Sequence, residues 1–340
     1  MTETITGRLQ GKRVCVTGGA GFLGRAVCAR LTAAGVTEVF VPRSCEYDLT
    51  RADAVARLYD DTRPDIVLHL AAEVGGIGAN EKHPGRFFYA NLAMGMHLIE
   101  EARKHDVEKF IQVGTVCAYP KHCAAPFVEK DLWAGFPEAT NAPYGIAKRA
   151  LHTMLEAYSG EYGFNGVYLI SANLYGQGDN FDLETSHVIP ALIRKFCEAV
   201  DRNKRTVTCW GTGKVTREFL FVDDAADAIV TAAAIHDDPK PINIGTGHEI
   251  TIRELAETIA ELCGFRGEIT WDHTRPDGQP VRRLDISRAE DKLSWHPKVS
   301  FADGLSQTVD WWRDIGSTAV QYTSNESWRA TRSIPDGYRL

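Results

Sequence analysis

Two runs of this sequence carry side chains whose types and spacing can do chemistry. In Tyr144-Gly145-Ile146-Ala147-Lys148 a phenol and an ammonium stand at i and i+4, on one face of the segment if it is helical. A lysine charge beside a phenol favours the phenolate, so the pair predicts a tyrosine titrating below its ordinary value of about 10. Such a tyrosine is an acid/base for a sugar hydroxyl or carbonyl. Thr115, at the end of a strand candidate, is its expected hydroxyl partner. The second run, Thr17-Gly18-Gly19-Ala20-Gly21-Phe22-Leu23-Gly24, spaces Gly18, Gly21 and Gly24 as GxxGxxG between a strand and a helix pattern. One glycine allows the tight turn, one lets backbone approach a pyrophosphate, and one lets helix and strand pack closely. The helix N-terminus then offers free N–H groups and a positive dipole end to phosphate. A dinucleotide site is the expectation.

The end of the second strand indicates which dinucleotide. An acidic residue about 20 positions past the glycines ordinarily holds the ribose 2′-hydroxyl. Here Val41-Pro42-Arg43-Ser44 puts Arg43 where a 2′-phosphate needs a cation, so NADP(H) is favoured, with NAD as the alternative. Asp48 and Leu49 follow at a distance suited to the adenine amino group. Phe22 and Leu23 at the helix start, and Leu70, Ala71 and Ala72 after the third strand, complete the expected cofactor contacts.

These residues need a scaffold, and the first half of the chain spells one out. Short apolar runs (13–17, 39–41, 65–70, 110–113, 166–170) alternate with helical patterns (22–34, 51–62, 86–105, 144–162). That alternation is the mark of βαβ units and a parallel sheet. The expected fold is α/β, a Rossmann-type doubly wound sheet with a smaller mixed α/β C-terminal unit. Residues 1–176, with about 217–245 returning, form the expected dinucleotide unit. Residues 177–216 and 246–320 form the substrate unit, and 321–340 a polar tail.

Composition narrows the function classes. The chain has 340 residues, 44% of them hydrophobic and 24% charged, which is enough for a large core and excludes a disordered or fibrous chain. Lys and Arg number 38 against 45 Asp and Glu, and the net charge of −7 argues against nucleic acid or an anionic membrane as partner. No run approaches the ~20 apolar residues of a membrane span. The start, MTETITGRLQGKR, lacks the apolar stretch of a secretory signal. The eight cysteines show no CxxC pair or metal-ligand spacing, so reduced thiols, a cytoplasmic location and no metal are expected.

With both runs in place, the chain resembles the extended short-chain dehydrogenase/reductase family from residue 11 to about residue 313. Longer motifs narrow the resemblance to its GDP-L-fucose synthase branch: Val74–Asn80, Gly114-Thr115-Val116-Cys117-Ala118-Tyr119-Pro120, Thr140–Tyr144, Asn173-Leu174-Tyr175-Gly176, Asp179-Asn180-Phe181, Ser186–Leu192 and Arg217–Leu220. The resemblance implies an enzyme that epimerises C3 and C5 of a GDP-4-keto-6-deoxy-hexose and then reduces C4 with NADPH. It implies Cys117 and His187 as the acid/base pair for epimerisation, a suitable pair because their ordinary pKa values of about 8.5 and 6.5 bracket neutrality. Tyr144, held by Lys148 and Thr115, protonates the C4 oxygen. Asn173, His187, Lys195, Trp210, Arg217 and Arg282 are the implied GDP-sugar contacts, and a homodimer paired through the helices near 86–105 and 144–162 is the implied assembly.

The glycine turn departs from the branch. GGAGFLG is common in NAD-using sugar epimerases, where fucose synthases often carry GHRGMVG. A redox-neutral GDP-sugar epimerase with retained cofactor is therefore the alternative. A non-catalytic dinucleotide sensor is remote, since Thr115, Cys117, Tyr144, Lys148 and His187 are all present.

Overall fold

Val14–Val16, Ile66–Leu68 and Phe110–Ile111 are buried, as strands of a parallel sheet covered on both faces must be. The computed structural model describes residues 2–75, 77–183, 185–275 and 277–323. Its first half runs α1 (Thr2–Leu9), β1 (Arg13–Thr17), α2 (Phe22–Ala33), β2 (Glu38–Phe40), α3 (Ala52–Thr62), β3 (Ile66–His69), α4 (Ile77–Lys82), α5 (Pro84–Lys104), β4 (Lys109–Thr115), α6 (Ala142–Tyr162) and β5 (Gly166–Ser171). The second half runs β6 (Asn173–Tyr175), α7 (Val188–Asp201), β7 (Thr206–Trp210), β8 (Thr216–Arg217), β9 (Phe219–Phe221), α8 (Val222–Ile235), β10 (Ile242–Ile244), β11 (Ile250–Thr251), α9 (Ile252–Cys263), β12 (Glu268–Asp272), α10 (Ser287–Leu293) and α11 (Phe301–Thr323).

Six strands form one parallel sheet in the order β10-β5-β4-β3-β1-β2. Strand order reverses between β1 and β3, and ligands of such sheets bind above the carboxyl ends at that switch point. The register Thr17↔His69 and Thr115↔Ser171 brings the strand ends that precede the glycine turn and Cys117 to the same edge.

Two apolar cores gather the buried side chains among the described residues. The larger lies under the six-stranded sheet; the smaller gathers Phe181, Ile193, Phe196, Leu255, Ile259 and Trp312 around α7, α9 and α11. Each fully buried large aliphatic or aromatic side chain contributes about 1.5–3 kcal/mol of burial free energy. Leu284, Ala289, Leu293 and Trp295 belong to the larger core although they lie late in the chain. At the N-terminus, Ile5 and Leu9, four apart, are buried in that core, which explains a helix where the sequence suggests only a polar lead-in. Helix α11 continues past Gly316 to Thr323; the rest of the expected 321–340 tail lies outside the described residues.

Candidate active site

The glycine turn is built so closely that side chains are excluded. Gly18 has φ +73°, and a Cβ there would stand 2.8 Å from the Ala71 nitrogen; one on Gly24 would stand 2.1 Å from the Gly18 carbonyl oxygen. Gly21 is the N-cap of α2 and adds no side-chain cap, and the first turn of α2 carries no acid. Its first N–H groups therefore have no intrahelical partner and face no competing carboxylate, a cradle that fits a dinucleotide diphosphate. Across the switch point Thr17 Oγ1 bonds His69 Nδ1 at 2.8 Å, and burial drives the His69 imidazole well below its ordinary pKa.

Beside this turn opens a cavity of about 570 Å³. Of the expected cofactor residues, Phe22, Leu23, Leu70 and Ala72 line it, together with Tyr144 and Lys148; Gly18, Gly21, Gly24 and Ala71 form the adjoining turn. Thr115, Cys117, Asn173, His187, Lys195, Trp210, Arg217 and Arg282 line the same cavity. Arg43, Asp48 and Leu49 are outside its lining. Arg43 is exposed just past β2, Leu49 is buried, and Asp48 Oδ1 accepts from the Thr50 N–H (3.0 Å) and hydroxyl (2.7 Å).

Close packing places the Tyr144 helix. A Cβ on Gly145 would stand 2.8 Å from the Cys117 carbonyl oxygen, and one on Gly95 would enter Leu151, so α6 lies tight against both β4's end and α5. The Tyr168 hydroxyl donates to the Lys148 carbonyl at 3.0 Å, tying α6 to β5. Lys148 Nζ lies 5.9 Å from the centre of the Tyr144 ring, and both side chains are buried. The expectation of a lowered tyrosine pKa is overturned. Burial raises the Tyr144 phenol well above its ordinary value, with the Cys117 sulfur adding to the effect, and burial brings the Lys148 ammonium down to about 8. Desolvation of the charged form is the main cause of each shift.

A second group converges on Cys117. Its N–H donates to Thr115 Oγ1 at 3.2 Å, so the expected hydroxyl partner of Tyr144 also anchors the cysteine backbone. Arg282 Nη1 lies 3.3 Å from Cys117 Sγ while its Nε donates to Gln279 Oε1 at 3.0 Å. Gln279 in turn donates to the Pro120 carbonyl, and Arg217 donates to the Gln279 and Asp277 carbonyls, clamping the 277–282 segment over the site. Burial, then the charge of Arg282, lowers the Arg217 pKa to about 9. His187, the N-cap of α7, is solvent-accessible where it opens into the cavity; desolvation by the protein packed around it, then the charge of Arg282, lowers its pKa, so it is neutral at pH 7.

Trp210 at the cavity mouth is 53% exposed, not core, with Lys195 Nζ and the Arg275 guanidinium 5.5 and 4.8 Å from its ring centre. Sequence reasoning assigned no role to Arg275, Asp277, Asn141 or Asp179. Asn141 lines the cavity, takes a hydrogen bond from Asn80 at 3.1 Å and donates to Glu138 at 3.0 Å. The Thr140–Tyr144 motif was the signal for it. Asp277 lines the cavity too and holds the Thr212 N–H and hydroxyl.

Residues 14–245 match the NAD dependent epimerase/dehydratase family. The chain is 41% identical over 317 residues to GDP-L-fucose synthase 1 of Arabidopsis thaliana, covering 92% of this chain and 98% of the relative. It is 39% identical over 314 residues to the GDP-L-fucose synthase of Escherichia coli (strain K12), covering 88% and 96%. A solved structure of a GDP-L-fucose synthetase from Naegleria fowleri bound to NADP superposes with a TM-score of 0.82 at 27% identity, covering 91% of this chain and 96% of that one.

Proposed function

We propose, for a chain that belongs to the NAD dependent epimerase/dehydratase family, the activity its relatives are named for: an NADP(H)-dependent 3,5-epimerase and 4-reductase of a GDP-4-keto-6-deoxy-hexose, as in GDP-L-fucose synthase. One observation carries the reading for the site: Cys117, His187, Tyr144 and Lys148 open onto a single cavity that begins at the glycine turn. The turn of Gly18, Gly21 and Gly24 would hold NADPH, with Arg43 as the cation for its 2′-phosphate and Asp48 and Leu49 for its adenine, and the bound cofactor would supply a hydride for C4. Tyr144, whose raised pKa keeps its proton in place at pH 7, donates that proton to the C4 oxygen. Lys148 and Thr115 orient it. Cys117 and His187 exchange the protons at C3 and C5, where the neighbouring ketone stabilises the carbanion as an enolate. Lys195, Arg217 and Arg282 supply positive charge to the diphosphate side, Asn173 a polar contact and Trp210 a stacking face.

The test is incubation with GDP-4-keto-6-deoxy-mannose and NADPH, with NMR identification of the product. GDP-L-fucose formed with one NADPH oxidised per sugar supports the reading; no conversion refutes it. Ala20 in the GGAGFLG turn favours a second reading, redox-neutral epimerisation, which would give an epimer without net NADPH oxidation.

A homodimer paired through α5 and α6 is part of the proposal, supported by Phe88, Tyr89 and Met96 of α5 and Tyr162 of α6, all exposed. Sedimentation at micromolar concentration tests it. A cytoplasmic location is likewise proposed, supported by eight free cysteines; no helix among the described residues is long and apolar enough to cross a membrane.

A further inference from the structure

Two acids line the cavity without a use in the proposed reaction, and of these Asp277 is taken up by Thr212 while Asp179 is not. Asp179 lies on the segment between β6 and His187, is only 8% exposed, and lines the cavity. Its Oδ1 accepts the Asn180 N–H at 2.7 Å, while its Oδ2 is buried with no hydrogen-bond partner. A buried polar atom without a partner is costly, and one that borders a cavity is satisfied when a ligand brings a donor. Burial lifts this carboxyl to about 7, so keeping it there costs less than an obligate charge would.

The preceding residue indicates which ligand is near. Arg25, next after Gly24, donates through Nη1 to the Ala20 carbonyl at 3.1 Å and through Nη2 to the Gly178 carbonyl at 2.8 Å. Gly178 has φ +79°, and a Cβ there would stand 2.5 Å from Arg25 Nη2. One guanidinium thus ties the residue before Asp179 to the glycine turn, at the dinucleotide end of the cavity. Lys195, Trp210 and Arg282 reach the cavity from later elements. Among the groups a dinucleotide offers, phosphate oxygens accept only from the protonated carboxyl and repel its ionised form, whereas ribose hydroxyls donate to it in either state, and carboxylates commonly hold them.

We propose that Asp179 is a cofactor-contacting residue whose free carboxyl oxygen accepts a ribose hydroxyl of the bound dinucleotide. The inference rests on the dinucleotide reading of the cleft and not on the identity of the sugar. Parent, Asp179→Asn and Asp179→Leu proteins are titrated with NADPH by its fluorescence and separately with GDP by calorimetry. Leucine, which removes the acceptor, should raise the NADPH Kd about tenfold or more, the scale of one lost polar contact, while asparagine, which keeps an oxygen, should stay within about threefold. GDP affinity should be unchanged in both. Unchanged NADPH affinity in Asp179→Leu overturns the proposal, as does a loss confined to GDP. Equal losses of both ligands in the leucine variant, with a lowered Tm, assign Asp179 to folding and also overturn it. A parent protein that binds NADPH but converts no sugar leaves this inference standing while refuting the proposed activity; a parent that binds no NADPH refutes both.

Discussion

Replacing Lys148 by methionine should make the protein more stable while removing its reductase activity. Lys148 is 2% exposed, and no carboxylate among the described residues pairs with it. Burial brings its pKa from 10.5 to about 8. The difference, 10.5 − 8 = 2.5, at ~1.36 kcal/mol per unit amounts to ~3 kcal/mol of destabilisation carried by the protonated folded state. The sign follows from proton binding. Between pH 8 and 10.5 the unfolded chain holds a proton that the folded one has released, so parental stability rises through that window, and the full penalty applies below pH 8. Methionine is close in length, flexible and apolar, so it fills the space without the charge. Urea unfolding of the cofactor-free proteins should therefore show Lys148→Met more stable by ~3 kcal/mol at pH 7, with the difference shrinking toward the packing term alone by pH 10 to 11. Other groups that titrate in this range are common to both proteins and cancel. Equal stability at pH 7, or a difference that does not change with pH, would refute the desolvation argument.

Three further outcomes follow from the site. Arg43→Ala should weaken NADPH by about 1.5–3 kcal/mol and leave NADH nearly unchanged, because the lost contact is charge-assisted and specific to the 2′-phosphate; fluorescence titration with each cofactor checks it. Tyr144→Phe should abolish C4 reduction while NADPH binding and Tm stay parental, and residual reduction above a few per cent would show that another acid serves. Cys117→Ser should lose solvent deuterium exchange at C3 and C5, read by NMR, since a hydroxyl is a far poorer base than a thiolate near neutral pH. With Tyr144 and Lys148 intact it should still slowly reduce the unepimerised sugar, and parental exchange at both carbons would remove Cys117 from the mechanism.

The sheet was legible in the sequence because parallel strands are buried on both faces and so read as unbroken apolar runs. Ile66–His69 is the clearest, every residue buried. The glycine turn was legible because Gly18 and Gly24 admit no Cβ and Gly21 admits one only tightly, so glycines recur there at fixed spacing. Helix α1 was not, since only Ile5 and Leu9 mark it and a two-residue apolar stripe is indistinguishable from chance. Leu284 and Leu293 were equally opaque: local pattern says they are buried, and only the tertiary path says in which core.

Most of the residues that share the cavity were legible in the sequence, Asn141, Asp179 and Asp277 excepted, but their electrostatics was not. Spacing of four on a helix correctly puts Tyr144 and Lys148 on one face, but the dielectric around them is set by α5, β4 and β5, residues far away in sequence. In water an ammonium would lower the phenol's pKa; in this cleft both charged forms lose hydration, and that loss dominates. The consequence reverses which partner gives up its proton more readily, from tyrosine to lysine. A phenol that holds its proton beside a lysine titrating near 8 is matched to donating that proton once and being recharged through the neighbour. The Arg282–Cys117 contact makes the same point across 165 positions of sequence. A cation that the family resemblance assigns to the GDP-sugar has one guanidinium nitrogen against the sulfur, through a segment held by Gln279 and Arg217. With the proposed roles, substrate charge and proton transfer at C3 and C5 would meet at one side chain. An Arg282 variant should move both nucleotide affinity and exchange rate, where a purely phosphate-binding residue would move affinity alone.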